Sequence, residues 1–140
     1  MAPVLFQLDT NTVSFLVNGW SRAVRTNYVE AENQGAQIAI SAITEAELRF
    51  GLAKRPEATR LRANFDRFFA AVQLLPWDSP VARAYGALRG ELSGAGKTPG
   101  LMDLLIASQA IAAGATLVTH DKAFHGASPS LQVVDWATDL

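Results

Sequence analysis

The chain has 140 residues, a formal net charge of −1 at pH 7 and 49% hydrophobic residues. This length predicts one domain over residues 1–140, and the composition excludes both intrinsic disorder and a strongly basic protein that coats nucleic acid. Cysteine is absent, which excludes disulfides and thiolate metal sites. Apolar runs are too short for a membrane span and the start lacks a signal-peptide pattern, so we expect a cytoplasmic protein.

Short apolar runs alternate along the chain with longer segments of helical periodicity. The first half predicts a strand at 4–8, a helix at 14–34 interrupted near Asn18, a strand at 37–41, and helices at 44–54 and 58–72. The second half predicts a short extended piece at 74–77, helices at 80–93 and 101–113 separated by a loop at 94–100, and strands at 115–119 and 131–134. This alternation predicts an α/β fold with three α/β/α layers around a mostly parallel sheet.

Acidic residues follow the predicted strands. Asp9 comes directly after the first strand and Asp121 follows the third, so both are expected at the carboxyl edge of the sheet, where ligands bind in such folds. Glu47 lies one turn into the helix after the second strand, near the same edge. Asp103 lies at the start of an apolar helix, where the helix dipole favours an acid.

Each of these acids also has a structural interpretation. Asp9 and Asp121 are both suitable caps for the segments that follow them. The Thr44-x-x-Glu47 spacing fits a capping box, in which Glu47 bonds back to the start of its helix. Glu45 competes with Glu47 for the site, because two residues along a helix turn by about 200° and only one of the pair can face the cluster.

A cluster of acids at one edge needs a cation to offset its repulsion. With no cysteine, two histidines and many carboxylates, the ligand chemistry favours Mg²⁺ or Mn²⁺. Such an ion assists phosphodiester hydrolysis, and a free carboxylate is then the candidate base. We find no nucleophile-elbow serine, and the segment 94–98 lacks the first glycine of a Walker loop.

Six short motifs occur in an order that resembles a PIN domain, and more closely a VapC-like ribonuclease toxin of a type II toxin–antitoxin pair. They are LDTN at 8–11, SAITEAELRFG at 41–51, LPWD at 75–78, DLLIA at 103–107, TLVTHD at 116–121 and VDW at 134–136. Together they span nearly the whole chain.

The resemblance implies a catalytic and metal-binding set, in which Glu47 is preferred to Glu45. The four acids are Asp9, Glu47, Asp103 and Asp121, and the supporting positions are Asn11 and Thr119. It also implies Mg²⁺- or Mn²⁺-dependent cleavage of RNA, commonly tRNA or rRNA, a homodimer, and silencing by a VapB-like antitoxin.

Other functions stay open at this point. The protein is alternatively a PIN nuclease that is not a toxin, or a catalytically silent PIN scaffold that binds RNA or protein. The start of the 9–12 segment, DTNT, also resembles the DxDxT motif of aspartyl-phosphate phosphatases, although Asn11 replaces the second acid.

Several surface and core features have two interpretations. The helical stripe of Phe65, Phe68 and Phe69 is typical of a core, and alternatively of a dimer or antitoxin groove. The tryptophans are candidates for core packing or base stacking, and the basic residues for a solvated surface or phosphate contacts. The residues concerned are Trp20, Trp77 and Trp136, and Arg22, Arg25, Arg49, Lys97 and Lys122.

Overall fold

The computed structural model describes residues 3–140. In this part of the chain it has five strands, six α-helices and one short 3₁₀ turn at Lys122–Phe124. The first half contains β1 (Leu5–Leu8), α1 (Thr10–Asn18), α2 (Arg22–Asn33), β2 (Gln37–Ser41), α3 (Ala42–Ala53) and α4 (Thr59–Ala71). The second half contains β3 (Gln73–Leu75), α5 (Ser79–Gly94), α6 (Leu101–Ala113), β4 (Thr116–Val118) and β5 (Gln132–Val134).

The strands form one parallel sheet in the order β3-β2-β1-β4-β5. The predicted parallel α/β fold is therefore confirmed. Because β1 is the central strand, its carboxyl end lies in the middle of that edge of the sheet. The backbone N–H of Asp9 donates to the carbonyl of Val118 at 3.1 Å, which places the ends of β1 and β4 side by side.

The two faces of the sheet bury separate hydrophobic clusters, since alternate residues of a strand point to opposite sides. We call one side the aromatic face: Phe6 and Leu8 of β1 pack there with α1, α2, α3 and α4. We call the other the α6 face: Leu117 of β4 packs there with Leu88 of α5 and Ile106 of α6.

The aromatic stripe of α4 lies in the core. Phe65, Phe68 and Phe69 are 4–7% exposed and pack within the aromatic face. Trp136 is buried against Phe6, with ring centroids 5.1 Å apart. These contacts support the core interpretation of the stripe.

Several helix and strand boundaries differ from the sequence predictions. The interruption predicted near Asn18 is confirmed, because α1 ends where Gly19 adopts φ 70°, but α1 begins at Thr10, four residues before the predicted start. Ser21 then caps α2 by accepting a hydrogen bond from the Val24 N–H. The extended piece near residue 74 is a true edge strand, β3, paired with β2.

The start of α3 also differs, since this helix begins two residues before the predicted position. Ser41 is its N-cap and accepts a hydrogen bond from the Ile43 N–H at 3.1 Å. Among residues 3–140, no helix combines the length and apolar character needed to cross a bilayer.

Candidate active site

Asp9 lies at the junction of β1 and α1 and is almost fully buried. Its Oδ1 accepts a hydrogen bond from the Thr12 N–H at 2.9 Å, so the helix-cap interpretation is correct. Burial raises the pKa of Asp9, and the negative charge of Asp121 adds to this, while hydrogen bonds from Thr119 and Thr12 oppose it. The capping hydrogen bond therefore fixes the orientation of the Asp9 carboxylate, which also feels the charge of Asp121.

Glu47 faces the end of β1. Its Oε1 accepts a hydrogen bond from the Thr10 hydroxyl at 2.5 Å. The capping-box interpretation is wrong, because Ser41 caps α3 and Thr44 is buried inside the helix. Glu45 instead pairs with Arg49 at 2.7 Å, so it is Glu47 that the fold joins to the residue following Asp9.

Asp103 lies in the first turn of α6. The residue as a whole is exposed, yet partial burial of its carboxyl group raises its pKa, and the charges of Asp121, Asp9 and Glu47 raise the pKa further. Its Oδ2 lies 3.4 Å from the position that a Cβ on Gly100 would take. The Asp103 carboxyl group therefore lies within electrostatic range of the other three predicted acids.

Asp121 follows β4. Its Oδ1 accepts a hydrogen bond from the Ala123 N–H at 2.9 Å and so caps the 3₁₀ turn, as its structural interpretation predicts. Its own N–H donates to the Thr119 hydroxyl at 3.0 Å, and hydrogen bonding by the Thr119 side chain is also among the influences that lower the pKa of Asp9. Thr119 thus connects two of the acids, in keeping with a supporting position. Asn11 is exposed.

The acids form an open set. Within residues 3–140, no three Asp, Glu or His side chains are close enough to form a ready-made metal cage. Mg²⁺ usually keeps several waters and takes one or two carboxylates directly, so a hydrated ion fits an open set better than a cage. The oxygen-only donors and the mutual repulsion felt by Asp103 are the observations that fit a hard divalent cation.

The predicted basic residues fit the solvated-surface interpretation. The side chain of Arg49 is held by Glu45 and lies over the ring of Phe69, 4.5 Å from its centroid. The other four are exposed: Arg22, Arg25, Lys97 and Lys122. Of the tryptophans, Trp20 is 63% exposed, and the indole of Trp77 donates to the Leu105 carbonyl at 3.0 Å.

Sequence reasoning missed two kinds of residue near the acids. Thr10 belongs to the LDTN motif at 8–11, but nothing in the sequence indicates that its hydroxyl bonds to Glu47. The ring Nδ1 of His120 lies 2.8 Å from Oδ2 of Asp135, a pairing that only folding brings about. Gln7 and Gln109, polar residues inside apolar runs, are buried and were a visible signal.

Comparison with known proteins identifies the family of the chain. The PIN domain family model matches residues 7–128. The chain is 33% identical over 133 residues to Ribonuclease VapC2 of Rickettsia felis, covering 95% of this chain and 98% of that protein. It is 30% identical over 132 residues to the tRNA(fMet)-specific endonuclease VapC of Shigella flexneri, covering 94% and 98% respectively.

Solved structures give the same result. The crystal structure of VapBC2 from Rickettsia felis bound to a DNA fragment from its promoter matches with a TM-score of 0.85 and 34% identity, covering 95% of this chain and 99% of that chain. DNA-bound VapBC from Salmonella typhimurium matches with a TM-score of 0.80 and 29% identity, covering 95% and 98%. The chain therefore belongs to the PIN domain family and is similar over nearly its whole length to the VapC ribonucleases.

Proposed function

We propose that the protein is a Mg²⁺- or Mn²⁺-dependent endoribonuclease and the toxin of a type II toxin–antitoxin pair. Asp9, Glu47, Asp103 and Asp121 hold the metal and carry the chemistry. The observation that carries the proposal is geometric: Glu47 is hydrogen-bonded to Thr10, the residue after Asp9, and the end of β4, which leads to Asp121, lies beside the end of β1. Similarity to ribonucleases over nearly the whole chain supports RNA as the substrate.

Asp9 and Glu47 are both oriented by hydrogen bonds near the end of β1. Asp9 is fixed by the Thr12 N–H and Thr119, and Glu47 by Thr10. A divalent cation held by these acids would neutralise charge on the phosphodiester and make the attacking water more acidic. A carboxylate that does not bind the cation would accept the proton of that water while the water oxygen bonds to phosphorus. The same carboxyl group or solvent would give a proton to the departing ester oxygen as its P–O bond breaks.

We infer that the substrate is structured RNA with exposed single-stranded loops, as in tRNA or rRNA. The Shigella flexneri relative is named as specific for tRNA(fMet). Loops present unstacked bases and accessible phosphates, which suits a site that opens at the edge of a sheet.

The activity is tested by incubating purified protein with total tRNA and rRNA in Mg²⁺, in Mn²⁺ and in excess EDTA, and by mapping the new RNA ends. We expect discrete cleavage sites with either metal and none with EDTA. The matched control is Asp9→Asn, which keeps a capping side chain and should be inactive. Cleavage that persists in EDTA, or that Asp9→Asn performs normally, would contradict the proposal.

We further propose a homodimer that is silenced by a VapB-like antitoxin in the cytoplasm. Relatives of known structure are VapBC complexes, two of them bound to DNA. Size-exclusion chromatography with light scattering should give a dimer for the protein alone. Co-expression with a small DNA-binding protein encoded beside it should give a complex that no longer cleaves RNA.

A catalytically silent scaffold is the alternative to test in cells. It predicts that Asp9→Asn arrests growth as strongly as the unchanged protein, whereas the nuclease proposal predicts normal growth. The phosphatase alternative has no support in the structure, because Asn11 takes the place of its second acid and lies exposed.

A further inference from the structure

Asp103 differs from the other three acids in how it is held. Asp9, Glu47 and Asp121 each accept a hydrogen bond from a neighbouring group. The Asp103 carboxylate accepts none from residues 3–140. Its place at the site therefore depends on where α6 lies against the sheet.

Two glutamines attach α6 to the sheet through buried hydrogen bonds. The amide Nε2 of Gln7, on β1, donates to the Ile106 carbonyl at 2.9 Å. The amide Oε1 of Gln109, on α6, accepts from the Ser41 hydroxyl at 2.9 Å, and its Nε2 donates to the Pro76 carbonyl at 3.1 Å. We call Gln7, Ser41 and Gln109 the α6 network.

The α6 network joins the elements that carry three of the acids. Gln7 lies two residues before Asp9 on β1. Ser41 caps α3, which carries Glu47. Gln109 lies on α6, and Ile106, the partner of Gln7, is one helical turn beyond Asp103.

Apolar packing alone does not fix α6 at this precision. Contacts between apolar surfaces have no preferred direction, and the inner side of α6 includes two small buried residues, Ala107 and Ala110. A hydrogen bond tolerates displacements of only a few tenths of an ångström before it weakens. Mg²⁺ demands near-ideal ligand geometry, so errors of that size at Asp103 matter.

Gln7 is expected to lower the stability of the fold relative to an apolar residue at the same position. It is completely buried, and its Oε1 has no hydrogen-bond partner within residues 3–140. Burying a carbonyl oxygen without a partner costs free energy that an apolar side chain at the same place would avoid. Its presence therefore calls for a contribution other than stability.

We propose that Gln7 and Gln109 are positioning residues: they hold α6, which carries Asp103, against the elements that lead to Asp9 and Glu47, and so favour metal binding by these acids. This inference rests on the metal-dependent function proposed above. Neither glutamine touches the metal or the RNA in this scheme, since both act through the backbone of α6.

The decisive variant is Gln7→Met, which keeps a long unbranched side chain and removes the unpartnered oxygen. Its thermal midpoint should equal or exceed that of the unchanged protein. Its Mn²⁺ dissociation constant, measured by isothermal titration calorimetry without RNA, should rise about threefold to tenfold, less than for a group bonded directly to a ligand. A purely structural role predicts the opposite pattern, with a lower midpoint and unchanged affinity.

Two further variants calibrate this result. Ile111→Val removes a methylene from the core side of α6 without touching the α6 network, so it should lower the midpoint slightly and leave Mn²⁺ affinity unchanged. Gln109→Met strands the Ser41 hydroxyl and the Pro76 carbonyl, and should weaken Mn²⁺ binding beyond the effect of Ile111→Val.

Unchanged Mn²⁺ affinity in folded Gln7→Met would overturn the positioning inference and leave the proposed function standing. If Gln7→Met does not fold, equal affinities in Gln109→Met and Ile111→Val overturn it instead. No Mn²⁺ uptake by the unchanged protein would overturn the metal-dependent function itself, and the positioning inference with it.

Discussion

The two faces of the sheet bury different kinds of side chain. The aromatic face buries three phenylalanines and a tryptophan among aliphatic side chains. The α6 face buries mainly aliphatic side chains with one phenylalanine, and the buried polar residues Gln7, Ser108 and Gln109 lie on β1 and α6. Large apolar area contributes stability without direction, whereas buried hydrogen bonds contribute direction at some cost in stability. We infer that the aromatic face mainly holds the fold together and the α6 face mainly holds the site in register.

The largest expected effect lies at the edge that the two faces share. Asp9→Asn should reduce RNA cleavage by more than about a hundredfold, because it removes a proposed metal ligand. Its thermal midpoint should be unchanged or higher, since asparagine also caps α1 and a buried charge is lost. Cleavage assays and melting curves on one preparation check both parts. A large loss of stability would show that Asp9 belongs with the fold, not the chemistry.

The aromatic face should respond in the opposite way. Phe68→Ala should lower the free energy of unfolding by about 3–5 kcal/mol, because it opens a cavity in a packed cluster. The cleavage rate per folded molecule should change little, because Phe68 makes no contact with the acids. Urea unfolding measures the loss of stability. Cleavage rates are measured separately, without urea and at a temperature where the variant stays folded. A loss of rate per folded molecule would break the proposed division between faces.

Thr10 provides a smaller, local test. Thr10→Val keeps the shape of the side chain and removes the hydroxyl that holds Glu47. Cleavage should fall about tenfold, in line with the loss of one hydrogen bond to a charged group. Thr26→Val, at an exposed position on α2, is the matched control and should cleave normally. Equal rates in the two variants would mean that Glu47 needs no support from α1.

The pH dependence of stability tests the crowding of the acids in the metal-free protein. The pKa values of Asp9 and Asp103 are raised by folding, so the folded state holds these protons to higher pH than the unfolded state. Their contribution is absent when both states are protonated and becomes unfavourable as the pH rises through the folded pKa values. Asp103→Asn should therefore gain stability relative to the unchanged protein on going from acid to neutral pH.

Melting curves recorded from about pH 3.5 to 7 check this difference. Adding Mg²⁺ or Mn²⁺ at neutral pH should raise the midpoint of the unchanged protein and reduce the advantage of Asp103→Asn. If the stability difference between Asp103→Asn and the unchanged protein is the same at every pH, Asp103 is not repelled by the other acids.

The smallest effect is expected at Glu45. Glu45→Gln removes an exposed i,i+4 ion pair with Arg49, worth about 0.3–0.5 kcal/mol. Cleavage should be unchanged, whereas Glu47→Gln, two residues along the same helix, should abolish it. Equal loss of activity in both variants would contradict the assignment of Glu47.

The motif pattern of the chain predicted the parallel fold and the four acidic positions, but not how each acid is held. The helical caps at Asp9 and Asp121 were foreseen, because a capping side chain reaches only three residues along the chain. The capping box at Thr44 was wrong, because Ser41 ends β2 and caps α3 at once. The edge strand β3 was seen only as an extended piece, because three residues carry too little pattern.

By itself the sequence determined the alternation of strands and helices and hence the edge at which the acids follow β1, β2 and β4, since local periodicity and chain order suffice for both. Only the tertiary structure decided which partner each polar side chain takes. Thr10 meets Glu47 across 37 positions, and Gln7 meets Ile106 across 99. Hydrogen bonds between residues so far apart depend on how α1, α3 and α6 pack against the sheet, and no local pattern encodes that packing.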